Sequence, residues 1–197
     1  MSIDFSRLEK QLAFIKEIDK EKQIFRQTYI ADGTRKENDA EHSFHLALMT
    51  SMMAQYSNEP IDILKTMKMV LVHDVVEIDA GDTYCYDAEA AKSKEEREVA
   101  AANRLFGILP EDIGSEFRSL WDEFERRDTP ESKFAAVMDR VQPLLLNVAT
   151  NGRAWKEHGI YIDQVRQRIA PVKDGSVVLW EYLNGLIEDA CEKGYLK

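Results

Sequence analysis

The chain has 197 residues, 44% of them hydrophobic and 31% charged, an ordinary globular composition with enough material to bury one core. Its net charge is -10, from 26 Lys and Arg against 36 Asp and Glu. That balance excludes the broad basic footprint nucleic acids and anionic membranes require, so neither is expected as a partner. No window reaches the apolar length of a membrane helix, and the first residues lack a basic-then-apolar leader. Two cysteines, Cys85 and Cys191, imply no disulfide framework. A cytoplasmic protein is expected.

In chain order, Leu8, Leu12 and Ile15 predict a first helix over about residues 3–19, with those three on its inner face. The polar stretch from Arg26 to Asp39, containing Gly33, reads mostly as loop. A second helix follows from about Ala40 to Tyr56, with Leu46, Met49 and Met53 on one face. Asn58-Glu59-Pro60 ends it, and Pro60 is placed to open the next, which runs through Leu64, Met67 and Leu71 to Asp74. Residues 78–91 read as irregular.

Ser93 and Glu96 have capping-box spacing, opening a helix that ends near Gly107. Pro110 starts another, ending before Asp128-Thr129-Pro130. Asp128 with Glu131 predicts the cap of a long helix to about Thr150, carrying Phe134, Met138, Val141, Leu145 and Val148. Pro143 inside it should kink the helix or cost it one hydrogen bond. Asn151-Gly152 stops it, and helices near Ile162–Ile169 and Ser176–Glu192 finish the chain. No alternating strands or internal repeats stand out. The expectation is a single all-α domain over residues 1–197.

The chemistry concentrates at His73-Asp74, which closes the apolar run Met67–Val72 and is followed by Glu77. His73, Asp74 and Glu77 crowd one side of a helix end, because side chains three and four apart share a face. His42 and Asp139 would complete a set of two imidazoles and two carboxylates, suited to a transition metal rather than to Ca²⁺ or a thiolate-bound zinc. The bland alternative for His73 is a solvated helix terminus, and for His42 and His45 a core-edge imidazole on a backbone carbonyl. Asp139 lies inside an apolar helix, where an unpaired carboxylate costs several kcal/mol, so it needs a cation. That cation is Arg140, another arginine, or a metal. There is no Gly-x-Ser-x-Gly elbow, P-loop or Cys-x-x-Cys to support other chemistries.

Glu37-Asn38-Asp39-Ala40-Glu41-His42-Ser43, the run from His73 through Glu77 to Gly81-Asp82-Thr83, and Met138-Asp139-Arg140 together resemble the HD-domain phosphohydrolase superfamily. Within it, the chain is similar to the branch of bacterial 5′-deoxynucleotidases and human HD-domain-containing protein 2. The likeness spans roughly Arg26 to Trp155, and Asn147 to Ile160 also resembles that branch. It implies an all-α HD-domain bundle in which His42, His73, Asp74 and Asp139 hold one divalent metal: Mn²⁺, Co²⁺, Fe²⁺, Ni²⁺ or Zn²⁺, with Mg²⁺ a further candidate. Glu77 then matches the catalytic glutamate and Asp82 the second acidic site residue. Arg26 falls where a phosphate-contacting arginine stands, with Arg35 and Lys36 as further cations. Tyr29 lies near the position of a tryptophan tied to sugar recognition. His45 has no matching ligand role.

The implied reaction releases phosphate from (deoxy)ribonucleoside 5′-monophosphates, small-molecule nucleotides, and the implied assembly is a homodimer. The rivals are a (p)ppGpp-type pyrophosphohydrolase, against which Ile78 stands where an aspartate is expected, and another HD-domain nucleotide hydrolase. A different class is a non-catalytic helical scaffold stabilised by metal.

Overall fold

The computed structural model describes residues 4–87 and 89–197. The first helix, α1 (Ser6–Ile18), continues into a 3₁₀ turn (Asp19–Gln23). Its anchor is Phe14, buried and edge-on to Phe117 at 5.9 Å. Leu8, Leu12 and Ile15, the expected inner face, are exposed. Periodicity locates an apolar stripe but does not say whether anything covers it.

The polar stretch expected as loop contains a hairpin, β1 (Phe25–Tyr29) and β2 (Lys36–Asn38). Phe25 pairs with Asn38 and Tyr29 with Lys36, with an irregularity between the two pairs. Strands this short and polar carry no alternation signal. The tip is tied down from a distance: Arg153 donates to the Gly33 carbonyl (2.7 Å) and lies 3.9 Å over the Tyr29 ring. Gly33 takes φ +71°, a left-handed conformation glycine adopts without steric cost.

Helix α2 (Asp39–Met53) is opened by a reciprocal box between Asn38 and Glu41. α3 (Ile63–Val72) takes Asp62 as its cap, so Pro60 stands outside the helix it was expected to open. A tight turn leads into the short α4 (Glu77–Ala80). α5 (Lys94–Phe106) begins where expected, but Ser93 makes no cap bond and accepts instead from Arg97 Nε (3.3 Å). α6 (Glu111–Arg126) is followed by α7 (Pro130–Ala149), capped by Thr129 and Ser132 rather than Asp128 and Glu131. α7 continues through Pro143, whose missing N–H leaves the Asp139 carbonyl without its usual helical donor.

Positive φ at Asn151 (54°) and Gly152 (68°) ends α7 and starts an unforeseen helix, α8 (Arg153–His158). It gives the Asn147–Ile160 stretch a structural role, since Arg153 and Glu157 hold the hairpin. α9 (Ile162–Ile169), α10 (Val172–Gly175) and α11 (Val177–Glu192) complete the chain. At Gly175 a Cβ would meet Val137 Cγ2 at 2.7 Å, so α10 can approach α7 this closely only with glycine.

α7 is the central element, packed by α2, α3, α6, α10 and α11, with Phe134, Ala135 and Met138 fully buried. Each large apolar side chain so buried contributes about 1.5–3 kcal/mol. A second apolar cluster gathers Phe14, Val75, Val76, Leu105, Phe106 and Trp121 beneath α1, α5 and α6. Val72 belongs to the first cluster and Val75 to the second. The turn carrying His73 and Asp74 therefore lies on the seam between two cores, clamped from both sides. Among the described residues, no helix is long and apolar enough to cross a membrane.

Candidate metal centre

The four residues expected to ligate a metal come from three elements and converge. His42 lies in the first turn of α2, whose start Asn38 sets; His73 caps α3 and Asp74 follows it; Asp139 projects from the middle of α7. The two imidazole centroids are 5.7 Å apart. His42 Nε2 is 3.5 Å from Asp139 Oδ1 and 3.8 Å from Asp74 Oδ2. His73 Nε2 is 3.1 Å from Asp74 Oδ1 and 3.9 Å from Asp139 Oδ1.

His42, His73 and Asp139 each offer a ligand atom within 4.8 Å of the others, and Asp39, Asp74 and Glu77 form a neighbouring group on the same criterion. All six are buried. His42 Nε2, His73 Nε2, Asp39 Oδ2 and Glu77 Oε2 have no hydrogen-bond partner there. Burying unpaired polar atoms is costly, and two imidazole nitrogens turned towards two carboxylates are a donor set that a divalent transition ion satisfies. The residues fit the metal.

The outward atoms of these side chains are held as well, which fixes their orientation. His73 Nδ1 is 2.8 Å from the Val70 carbonyl, and His42 Nδ1 is 3.0 Å from Gln142 Oε1. Asp139 Oδ2 accepts from Arg168 (3.0 Å), while Arg140, 3.9 Å from the same oxygen, donates to the carbonyls of Ala136 and Arg168. Arg26 enters from β1 and donates to Asp74 Oδ2 (2.8 Å) and Asp39 Oδ1 (3.3 Å). It thus lies among the carboxylates themselves.

A cavity of about 270 Å³ opens from this centre. Arg26, Asp74, Glu77 and Asp82 line its inner part, and Tyr84, Tyr86, Trp155 and Arg168 its walls. Tyr29 and Arg35 lie outside it. The Tyr29 hydroxyl instead meets Glu157 at 3.1 Å. Arg35 makes a two-pronged pair with Glu41 (2.7 and 2.8 Å), bracing the α2 cap. His45 is exposed, with Nδ1 3.2 Å from Gln142 Nε2.

The sequence assigned no site role to Asp39, Glu37, Gln142 or Arg168, although Glu37 and Asp39 lie in the segment that resembles the family. Two carried a usable signal: Asp39 is three residues before His42, and Gln142 three after Asp139, so each shares a helix face with a ligand. Glu37 and Arg168 reach the centre only through tertiary packing.

Electrostatics reflects crowded, dry acids around few cations. Burial, then the charges of Asp74 and Asp39, pushes the Glu77 carboxyl well above its ordinary range. Burial and Asp74 raise Asp39 to about 7 against the pull of Arg26. Burial alone would lower His73, but Asp74 and Asp139 beside it raise it to about 10. Against burial, His42, His73 and Arg168 hold Asp139 well below the usual carboxylate range. Asp82 is raised, mainly by burial.

Glu21, behind the site in the 3₁₀ turn, is pushed up to about 8 by burial and by Asp74 and Asp39. A raised carboxyl stabilises the fold fully below its unfolded value of 4.5, and this contribution is lost as pH rises through 8. In metal-free protein, Glu21→Gln should therefore flatten the decline of stability between about pH 4.5 and 8. Denaturant unfolding across that range checks this, and a decline as steep as the parent's would refute it.

A family model described as HD domain matches residues 18–180. A 5′-deoxynucleotidase of Bos taurus is 27% identical over 135 residues, covering 68% of this chain and 64% of its own length. One of Xenopus laevis is 28% identical, covering 68% and 66%. The matches thus span just under two thirds of these relatives. A solved structure described as a predicted metal-dependent phosphohydrolase from Magnetospirillum magnetotacticum MS-1 is 46% identical, covers 99% of both chains and superposes with a TM-score of 0.94. The PH0347 protein of Pyrococcus horikoshii OT3, 21% identical with a TM-score of 0.63, shares the fold. Because the model spans most of the sequence, the chain belongs to the HD-domain family.

Proposed function

We propose that residues 1–197 act as one HD-type domain that hydrolyses phosphomonoesters, releasing phosphate from (deoxy)ribonucleoside 5′-monophosphates. The observation that carries this is the pair of orphaned imidazole nitrogens facing Asp74 and Asp139 at the inner end of a cavity, with Glu77 beside them. The relatives named 5′-deoxynucleotidase support the substrate class. His42, His73, Asp74 and Asp139 would hold one divalent ion, with Mn²⁺, Co²⁺, Fe²⁺, Ni²⁺ or Zn²⁺ best matched to the donors and Mg²⁺ also accommodated. When bound, such an ion supplies Lewis-acid polarisation of the phosphoryl group and lowers the pKa of water.

The chain's own residues supply the proton traffic. Glu77 Oε2 has no hydrogen-bond partner in the protein, and as a carboxylate it can take a proton from the attacking water. As the phosphorus–oxygen ester bond breaks, Asp82, with its raised carboxyl in the cavity wall, gives a proton to the departing 5′-oxygen. Arg26 neutralises charge growing on the phosphoryl oxygens, and Arg168 lines the same cavity.

A phosphate-release screen with added Mn²⁺ or Co²⁺, over ribo- and deoxyribonucleoside 5′-monophosphates and ppGpp, tests the assignment. Release from the monophosphates that stops on chelation is expected. Release from ppGpp alone would transfer the site to the alarmone reaction, and a metal-free, inert protein would leave only a scaffold. Glu77→Ala should retain metal by elemental analysis yet lose about 10²–10⁴ in kcat. Loss of the metal itself would make Glu77 a ligand.

A homodimer is supported by the exposed apolar side chains of α2 and α3, Phe44 (68% exposed), Leu48, Met52 (66%), Leu64 and Leu71. Leu48→Glu should shift the protein towards monomer in sedimentation velocity, and an unchanged profile would discard this face. Two free cysteines, Cys85 and Cys191, support a reducing cytoplasmic setting.

A further inference from the structure

The two imidazoles of the centre are oriented by different means. His73 Nδ1 faces a carbonyl of its own helix, at Val70 (2.8 Å), which accepts and so demands a proton on Nδ1. His42 Nδ1 faces a side-chain amide, Gln142, at 3.0 Å, and both residues are fully buried. An amide has a donor end and an acceptor end, so its rotation decides which nitrogen of His42 carries the proton.

Glu37, from β2, removes that choice. Its Oε1 lies 2.6 Å from Gln142 Nε2, and a carboxylate only accepts. The amide nitrogen must therefore face Glu37, which leaves Oε1 facing His42 and places the proton on Nδ1. His42 Nε2 is then the nitrogen left to a ligand, and it is directed towards Asp139 Oδ1 and Asp74 Oδ2. The remaining Gln142 N–H is 3.2 Å from His45 Nδ1, so the amide is used at both ends. Glu37 Oε2, 3.5 Å from His42 Nδ1, favours the same proton position.

We propose that Glu37 and Gln142 form a positioning pair that selects the metal-ligating tautomer of His42 and thereby sets the affinity of the centre for its ion. Neither touches the cavity's reacting atoms; they act through His42. α7 consequently carries one ligand, Asp139, and, one turn later on the same face, the residue that orients another. This inference rests on the reading of the centre as a metal site.

The test is Zn²⁺ titrated calorimetrically into metal-free protein. Gln142→Leu should weaken binding by about 10–100-fold, the usual effect of removing an outer partner of a ligating histidine. Because Gln142→Leu also strands Glu37 in the interior, a second variant is needed. The exchange Glu37→Gln with Gln142→Glu restores an acceptor opposite His42 and a donor opposite residue 142, and should recover most of the lost affinity. Long-range ¹H–¹⁵N NMR of the zinc-loaded parent should show His42 protonated at Nδ1 and metallated at Nε2. Unchanged affinity in Gln142→Leu, failure of the exchange to recover affinity, or metal on Nδ1 would overturn the proposal while the parent still binds zinc. A parent protein that binds no Zn²⁺ would instead remove the metal reading, and this inference with it.

Discussion

The constraint on which this structure depends is the burial of four carboxylates, Asp39, Asp74, Glu77 and Asp139, beside two imidazoles and the guanidinium groups of Arg26 and Arg168. Charges removed from water persist only if they are paired, neutralised by proton uptake, or bound to a cation. The first two outcomes are visible. Asp74 and Asp139 are held ionised by histidines and arginines, while Glu77 and Asp39 are pushed towards the protonated form. A bound divalent ion would invert part of this pattern, because its charge is larger than any the protein supplies nearby. The centre is thus electrostatically unfinished in a way suited to a metal and an anionic substrate.

Such a cluster needs a rigid surround, since unpaired polar groups would otherwise draw the fold open towards water. α7 meets that need by burying Phe134, Met138 and Val141 around the point where Asp139 projects. The turn holding His73 and Asp74 is clamped between two apolar clusters, and the hairpin that delivers Arg26 is fastened at its tip by α8. Outer partners then remove the residual rotational freedom of each ligand. Packing, hydrogen bonding and electrostatics are consistent with one another here, as expected of a site held on regular elements.

Much of this was legible beforehand. Helix periodicity and punctuation by Pro60, Gly107, Pro110 and Asn151-Gly152 located the major helices to within a few residues, and the His42, His73-Asp74, Asp139 order pointed to the centre. Cap residues were less legible. Thr129 with Ser132 prevailed over Asp128 with Glu131 because the two hydroxyls bond reciprocally and Thr129 also donates to Glu123, a residue of the preceding helix. The hairpin was missed because its strands are brief and polar, and Tyr29 was misplaced with it.

By itself, the sequence determined the helical class, the order of the elements and the residue types able to hold a metal, because those follow from local spacing and side-chain chemistry. Tertiary structure alone decided that Asp39, Glu37, Gln142 and Arg168 share the centre, that Arg26 lies among the carboxylates, and that Leu8, Leu12 and Ile15 face outwards. The physical reason is one of range. Spacing of three or four residues specifies a face, but which face is covered and which charges meet depends on contacts between residues about a hundred positions apart, such as His42 with Gln142.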